Sequence, residues 1–172
     1  MIDTIDRWLS GVAAVRDRLS LRAILVPIAD RLSTQSLSSA GLVIGGTTKL
    51  TARTSASLVY YASVKGKILT KATSTEMATL SGTVTADAFN VYCFFIDSAG
   101  TLTSAMGTEA ATLAAVTFPP FPEGKALVGF IAVNPTGTGN FVGGTTALDD
   151  GTVVPNTVYV SPTGPFDPSV LL

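Results

Sequence analysis

Of the 172 residues only 13% are charged, against roughly 25% in a typical soluble domain, and the net charge is −1 with no histidine and a single cysteine. That balance argues against a nucleic-acid binder, which carries a basic face, and the missing histidine removes the commonest general base and the commonest metal ligand. Cys93 lies inside VYCFF, so an internal disulfide is ruled out and the side chain reads as a small buried apolar group.

Residues 3 to about 26 read as the one convincing helix. Ile5, Trp8, Val12, Val15, Leu19 and Val26 recur at alternating spacings of four and three, broken at Arg22, while Asp6, Arg7, Asp17 and Arg18 face away. Asp3 or Thr4 caps the first turn, and Pro27 is expected to end or kink the helix, with a short continuation over 28–32. The stripe fits two uses, packing on the chain's own β-domain or meeting another helix, since a 4-3 repeat is also the seam of a coiled coil. On the second, Ile5, Trp8, Val12, Val15 and Leu19 are the candidate oligomer or partner contacts. Four Asp offset five Arg between residues 1 and 34, which disfavours a membrane-surface helix. Asp3, Asp6 and Arg7 interrupt any signal-peptide core, and no apolar run approaches the roughly twenty residues that span a bilayer, so a cytosolic origin is expected.

Residues 33–40 (STQSLSSA) read as a linker. From Gly41 the chain becomes short strands punctuated by Gly, Thr, Asn and Pro. Strands at 42–44 and 48–51 flank Gly45-Gly46, strands at 57–64 and 67–70 flank Lys65-Gly66, and strands at 77–80 and 83–85 flank Ser81-Gly82. The first pair reads as a hairpin or bulge, the second as a hairpin, and Ser81-Gly82 as a turn. The most apolar strand, FNVYCFFID at 89–97, is closed by Ser98-Ala99-Gly100 before a strand at 101–103. Residues 109–116 fit helix, strand or extended loop equally. The aromatic, proline-rich entry 118–122 leads through Glu123-Gly124 into an apolar strand at 126–133 that stops at Asn134-Pro135. A run so apolar and only about eight residues long, bounded by turn residues, is expected to be buried. A loop at 135–140, a turn at Asp149-Asp150-Gly151, and strands at 152–154 and 156–160 complete the pattern.

About ten short, closely spaced strands specify a mainly β fold, a β-sandwich or jelly-roll-like domain preceded by an N-terminal amphipathic helix. The expected organisation is a helical arm at 1–34, a linker at 35–40, the β-domain at 41–161 and an extended tail at 162–172. No internal repeat of 20–50 residues is present.

No catalytic, cofactor-binding or metal-ligating residue is assigned. Asp149-Asp150-Gly151 makes a good turn but lacks the ligand spacing of a calcium loop. Glu109, Glu123, Asp97 and Asp87 supply carboxylates, with nothing to single out a catalytic pair. The glycine-rich pieces lack the GxxxxGK[ST] phosphate loop. The aromatic residues read as core, although one of Tyr60 and Tyr61 must face outward. Lys65, Lys67 and Lys71 read as a solvated edge that discourages strand addition.

The stretches FNVYCFFIDSAGTLTSAMGT (89–108), FPPFPEGKALVGFIAVNPTGTGNFVGGTTALDD (118–150) and VVPNTVYVSPTGPFDP near the end carry a resemblance. Over about residues 40 to 168 the chain resembles a family of small tailed-bacteriophage virion structural proteins, of the capsid decoration or cement kind. The resemblance implies a non-enzymatic protein without cofactors, made in the host cytoplasm and carried on the capsid surface of the virion. It further implies binding to the major capsid protein and to itself as a homotrimer, with no nucleic-acid or membrane partner. A head or tail fibre, or a receptor-binding module of the virion, is the alternative expectation. A surface hydrolase built on two carboxylates is the third.

Overall fold

The computed structural model describes residues 18–166. Ile5, Trp8, Val12 and Val15 lie outside the described residues, as does most of the predicted helix. Leu19 falls within helix α1 (Arg18–Ser33). The helix does not stop at Pro27 but runs through it. A proline frees one carbonyl a turn upstream and needs room for its ring, and here Arg22, Ala23, Val26 and Ile28 are all exposed, so water can serve the carbonyl and nothing crowds the ring.

The described residues then form eleven strands, β1 (Gln35–Ser36), β2 (Val43–Ile44), β3 (Ala52–Arg53), β4 (Tyr60–Val64), β5 (Lys67–Lys71), β6 (Thr83–Val84), β7 (Asn90–Asp97), β8 (Leu102–Met106), β9 (Lys125–Val133), β10 (Phe141–Val142) and β11 (Val158–Val160). The fold is mainly β, and all its pairings are antiparallel. One sheet runs β1-β4-β5, a second runs β11-β9-β7-β8, and β2-β3 and β6-β10 are two-stranded ribbons.

The second sheet is organised by β7. Its alternate side chains Tyr92, Phe94 and Ile96 enter a main core shared with Tyr60, Ala62, Val64 and Leu69 of the first sheet. The other parity, Cys93 and Phe95, points into a second cluster with Leu127, covered by Phe118, Phe121, Phe130 and Phe166. The proline-rich entry to β9 therefore acts as a lid. Phe121 meets Phe95 edge-on at 5.1 Å, and Phe118 meets Phe130 edge-on at 5.0 Å.

Along β9 the register shifts. Phe94 faces Gly129 while Phe95 faces Leu127, so Val128 is the extra residue of a bulge. The bulge lets Val128 and Ile131, three apart, both reach the main core. Between β4 and β5, Lys65 (φ 52°) and Gly66 (φ 78°) both take positive φ, the two-residue turn that matches the twist of a hairpin.

Three further expectations are corrected. The serine-rich stretch 35–40 is not a free connection, because Gln35–Ser36 pairs with β4 and Ser36 is buried. The strand expected at 77–80 does not form. Gly82 (φ 94°) accepts a hydrogen bond from the amide of Gly143 at 2.8 Å, and β6 pairs with β10 instead. Residues 152–154 form no strand, since the amides of Thr152 and Val153 donate to Asp150 Oδ1 at 2.9 and 3.1 Å and wind the segment into a turn. The described part of the tail stays on its own domain, where the Gly164 amide donates to the Ser36 carbonyl at 2.7 Å and Phe166 stacks on Phe130 at 6.3 Å. Residues 109–116, left open between helix and strand, hold a short 3-10 turn (Leu113–Ala115) flanked by single bridges, Ala110 to Phe89 and Thr117 to Thr108.

Candidate functional site

Several carboxylates are held in turns and loops. Asp97, at the end of β7, accepts from the amides of Ala99 and Thr101 at 2.9 Å each and shapes the turn into β8. Glu109 accepts from the Thr85 amide at 2.8 Å and the Thr85 hydroxyl at 2.7 Å. Glu76 accepts from the Gly46 amide at 2.7 Å, and Asp149 pairs with Lys49 at 2.5 Å, tying two loops a hundred residues apart. Asp149 and Asp150 thus do separate jobs on one turn. Among the described residues no cluster of three or more His, Cys, Asp or Glu side chains could hold a metal ion.

These bonds leave an electrostatic signature. The Thr101 amide, ahead of the Ala99 amide, holds the Asp97 carboxyl below its ordinary value, and the Thr85 amide does the same for Glu109. A carboxyl depressed in the folded state contributes stability that is present above its unfolded pKa and is lost as pH falls through the folded one. Urea midpoints measured from neutral pH into the acid range are therefore expected to fall below the ordinary carboxylate pKa, and Asp97→Asn is expected to flatten that fall. An unchanged acid slope in Asp97→Asn would show that the turn does not draw on the charge.

The buried polar groups join the two larger sheets. Ser36 Oγ bonds Tyr60 Oη at 2.7 Å and donates to the Leu127 carbonyl, so one hydroxyl from β1 links β4 to β9. Burial pushes the Tyr60 phenol up to about 12, only partly offset by the Ser36 bond. The phenol and the Ser36 hydroxyl together form a buried strut between the sheets.

Next to this strut an open hollow of about 300 Å³ lies between α1 and the β-domain. Val26, Pro27 and Asp30 of α1 form one wall, Phe121 and Leu127 the floor, and Phe166 the far rim. Its charged groups are Asp30, Glu123 and Lys125, and Lys125 Nζ is turned to Thr103 Oγ1 at 3.1 Å.

No family model, curated protein or solved structure matches this chain. Its functional reading therefore rests on the side chains.

On α1 those side chains are apolar and wet. Leu25, Val26, Ile28 and Leu32 are all at least half exposed. Of the predicted stripe, Val26 is half exposed and lines the hollow. Of the nominated contacts, only Leu19 sits on α1; no grouping of the five is described. The pattern search missed Leu25, Ile28 and Leu32, which are offset from the stripe ending at Val26; their own spacing of three and four was the available signal. Of the three lysines read as a solvated edge, Lys67 reaches across to the Ser98 carbonyl at 2.9 Å and braces the β4-β5 hairpin against the β7-β8 turn. Among the described residues no helix is long and apolar enough to cross a membrane.

Proposed function

We propose that this chain is a non-enzymatic structural protein of a tailed-bacteriophage virion, a capsid decoration or cement protein that binds the head shell through the major capsid protein. It acts as a homotrimer, with the two larger sheets packed as a β-sandwich. One observation carries the reading. The carboxylates Glu76, Asp97, Glu109, Asp149 and Asp150 are committed to turns and an inter-loop ion pair, while large apolar side chains of α1 stand half in water. Carboxylates held in turns, beside exposed apolar anchors, suit permanent contact with other subunits. The shared core of the two sheets supports the sandwich, and the resemblance over residues 40–168 supports the virion setting.

The test is binding of the purified protein to isolated heads that lack it, with isolated tails in parallel and occupancy read by quantitative gel. Saturable binding to heads at many copies per particle is the expected result. Binding to tails alone would replace the cement role by that of a fibre or receptor-binding module. Binding to neither would remove the virion reading.

A further inference from the structure

The outer face of the β1-β4-β5 sheet is unusual for a surface that ends in water. Tyr60, Ala62 and Val64 of β4 point into the main core, so Tyr61 and Ser63 point out. Ile68 pairs with Ser63 across the hairpin and shares that outward face. Leu37 follows β1, and its amide donates to the Tyr61 carbonyl at 2.9 Å. The buried Ser36 before it faces the core, so Leu37 also points out. Val59, directly before β4, is also exposed. Leu37, Val59, Tyr61 and Ile68 are 47%, 40%, 43% and 60% exposed, a row of large apolar groups where an ordinary outer sheet face alternates to polar.

Helix α1 continues this surface. Ser63 Oγ, on the same outward face, donates to the Ser33 carbonyl at 2.7 Å, so the helix leaves the sheet beside Ile68. Val26, Pro27 and Asp30 turn toward the hollow of their own domain. Leu25, Ile28 and Leu32, spaced three and four apart, therefore occupy the opposite side of the helix, where they are 50%, 51% and 61% exposed.

We propose that this combined face is the surface through which one copy of the chain seats on another, with the sheet row and the helix stripe both covered in the assembly. The proposal rests on the oligomeric structural role argued above and names a surface that serves it. Two observations select a second copy as the occupant. Seven half-exposed large side chains present on the order of 600 Å² of apolar surface. That is the upper end of what a monomer leaves bare and most of the roughly 800 Å² per partner that a standard interface buries. None of the seven is charged. A neutral apolar face meets its own copy without like-charge repulsion, as a symmetric oligomer requires, whereas a polyanionic partner would call for basic side chains in the patch.

The experiment is the mass of the full-length chain in solution by light scattering and sedimentation. Three single variants are compared with the unmodified protein: Ile68→Asp on the sheet row, Ile28→Asp on the helix stripe, and Val158→Asp as control. Val158 is 55% exposed but belongs to β11 in the other sheet. The unmodified chain and Val158→Asp are expected to run as a multiple of 17.6 kDa, with Ile68→Asp and Ile28→Asp shifted to the monomer and far-UV circular dichroism unchanged. Ile28→Asp keeps the test decisive should the sheet variant fold poorly, because Ile28 is half exposed and belongs to neither core.

A monomeric unmodified chain, oligomers undisturbed by both face variants, or equal dissociation by Val158→Asp would each overturn the proposal. If a monomeric chain binds heads and loses that binding in Ile68→Asp, the face belongs to the shell; self-association falls while the virion reading stands. Dissociation by the two face variants with no binding to heads by any sample keeps this surface and removes the virion reading.

Discussion

Phe94→Ala is expected to lower the stability of the folded chain by about 3–5 kcal/mol, a large part of the roughly 5–15 kcal/mol that holds a domain together. Phe94 is fully buried in β7, the strand paired on both sides and covered on both faces. Its partner across the β7-β9 ladder is Gly129, so no opposing side chain can swing in to fill the space that alanine leaves. The cost is therefore expected at the full-cavity end of the range. Phe121→Ala is the useful comparison, because Phe121 packs on Phe95 from the outer lid and is only half-buried, so its loss is expected to cost markedly less. Urea unfolding followed by circular dichroism measures both. Equal losses for the two, or less than about 1.5 kcal/mol for Phe94→Ala, would mean that the fold is not centred on β7.

The centre was legible because it is long and apolar. FNVYCFFID and KALVGFIAV are strands that two covered faces make continuously hydrophobic, and the Lys65-Gly66 turn sits between two runs of β-branched and aromatic residues. What failed was short or polar. β6 and β10 are two residues each, too brief to carry a period, and their pairing joins segments more than fifty residues apart. Ser36 was read as linker from its polar neighbours. The structure buries it, which is tolerable because its hydroxyl finds both Tyr60 and the Leu127 carbonyl. Pro27 fits an end or a kink followed by a short continuation, and the helix does continue to Ser33, with exposed neighbours that leave the freed carbonyl to water.

The candidate face was half legible. That one of Tyr60 and Tyr61 must point outward follows from strand parity, but which one depends on where the main core lies, and only the register with β1 and β5 decides it. Ile68 and Leu37 carried no signal of exposure. An apolar residue that a partner covers has the same composition as one that the core covers, and a single chain does not distinguish them.

Gly129→Ala is expected to be nearly as damaging as the loss of Phe94, for the opposite reason. A methyl group at 129 would lie 2.5 Å from the Val160 carbonyl oxygen and 2.6 Å from Leu42 Cδ1. The leucine can turn away; the carbonyl belongs to β11 and cannot move without disturbing the ladder in which Val160 pairs with Phe130 and Tyr159 with Ile131. The requirement is close approach, not backbone freedom, so about 3 kcal/mol or more is expected, at the upper end of overpacking. Gly151→Ala, where no atom lies within 4 Å, is expected to be close to neutral. Hydrogen exchange localises the effect, with the backbone amides of Val158–Val160 expected to lose protection before those of β7. Beyond β11 the chain reaches the Gly164–Ser36 bridge and the stacking of Phe166 on Phe130. Displacing β11 should therefore also loosen the far rim of the hollow beside α1. If Gly129→Ala and Gly151→Ala unfold alike, β11 is not held by the bulge side of β9, and the described tail keeps its place without it.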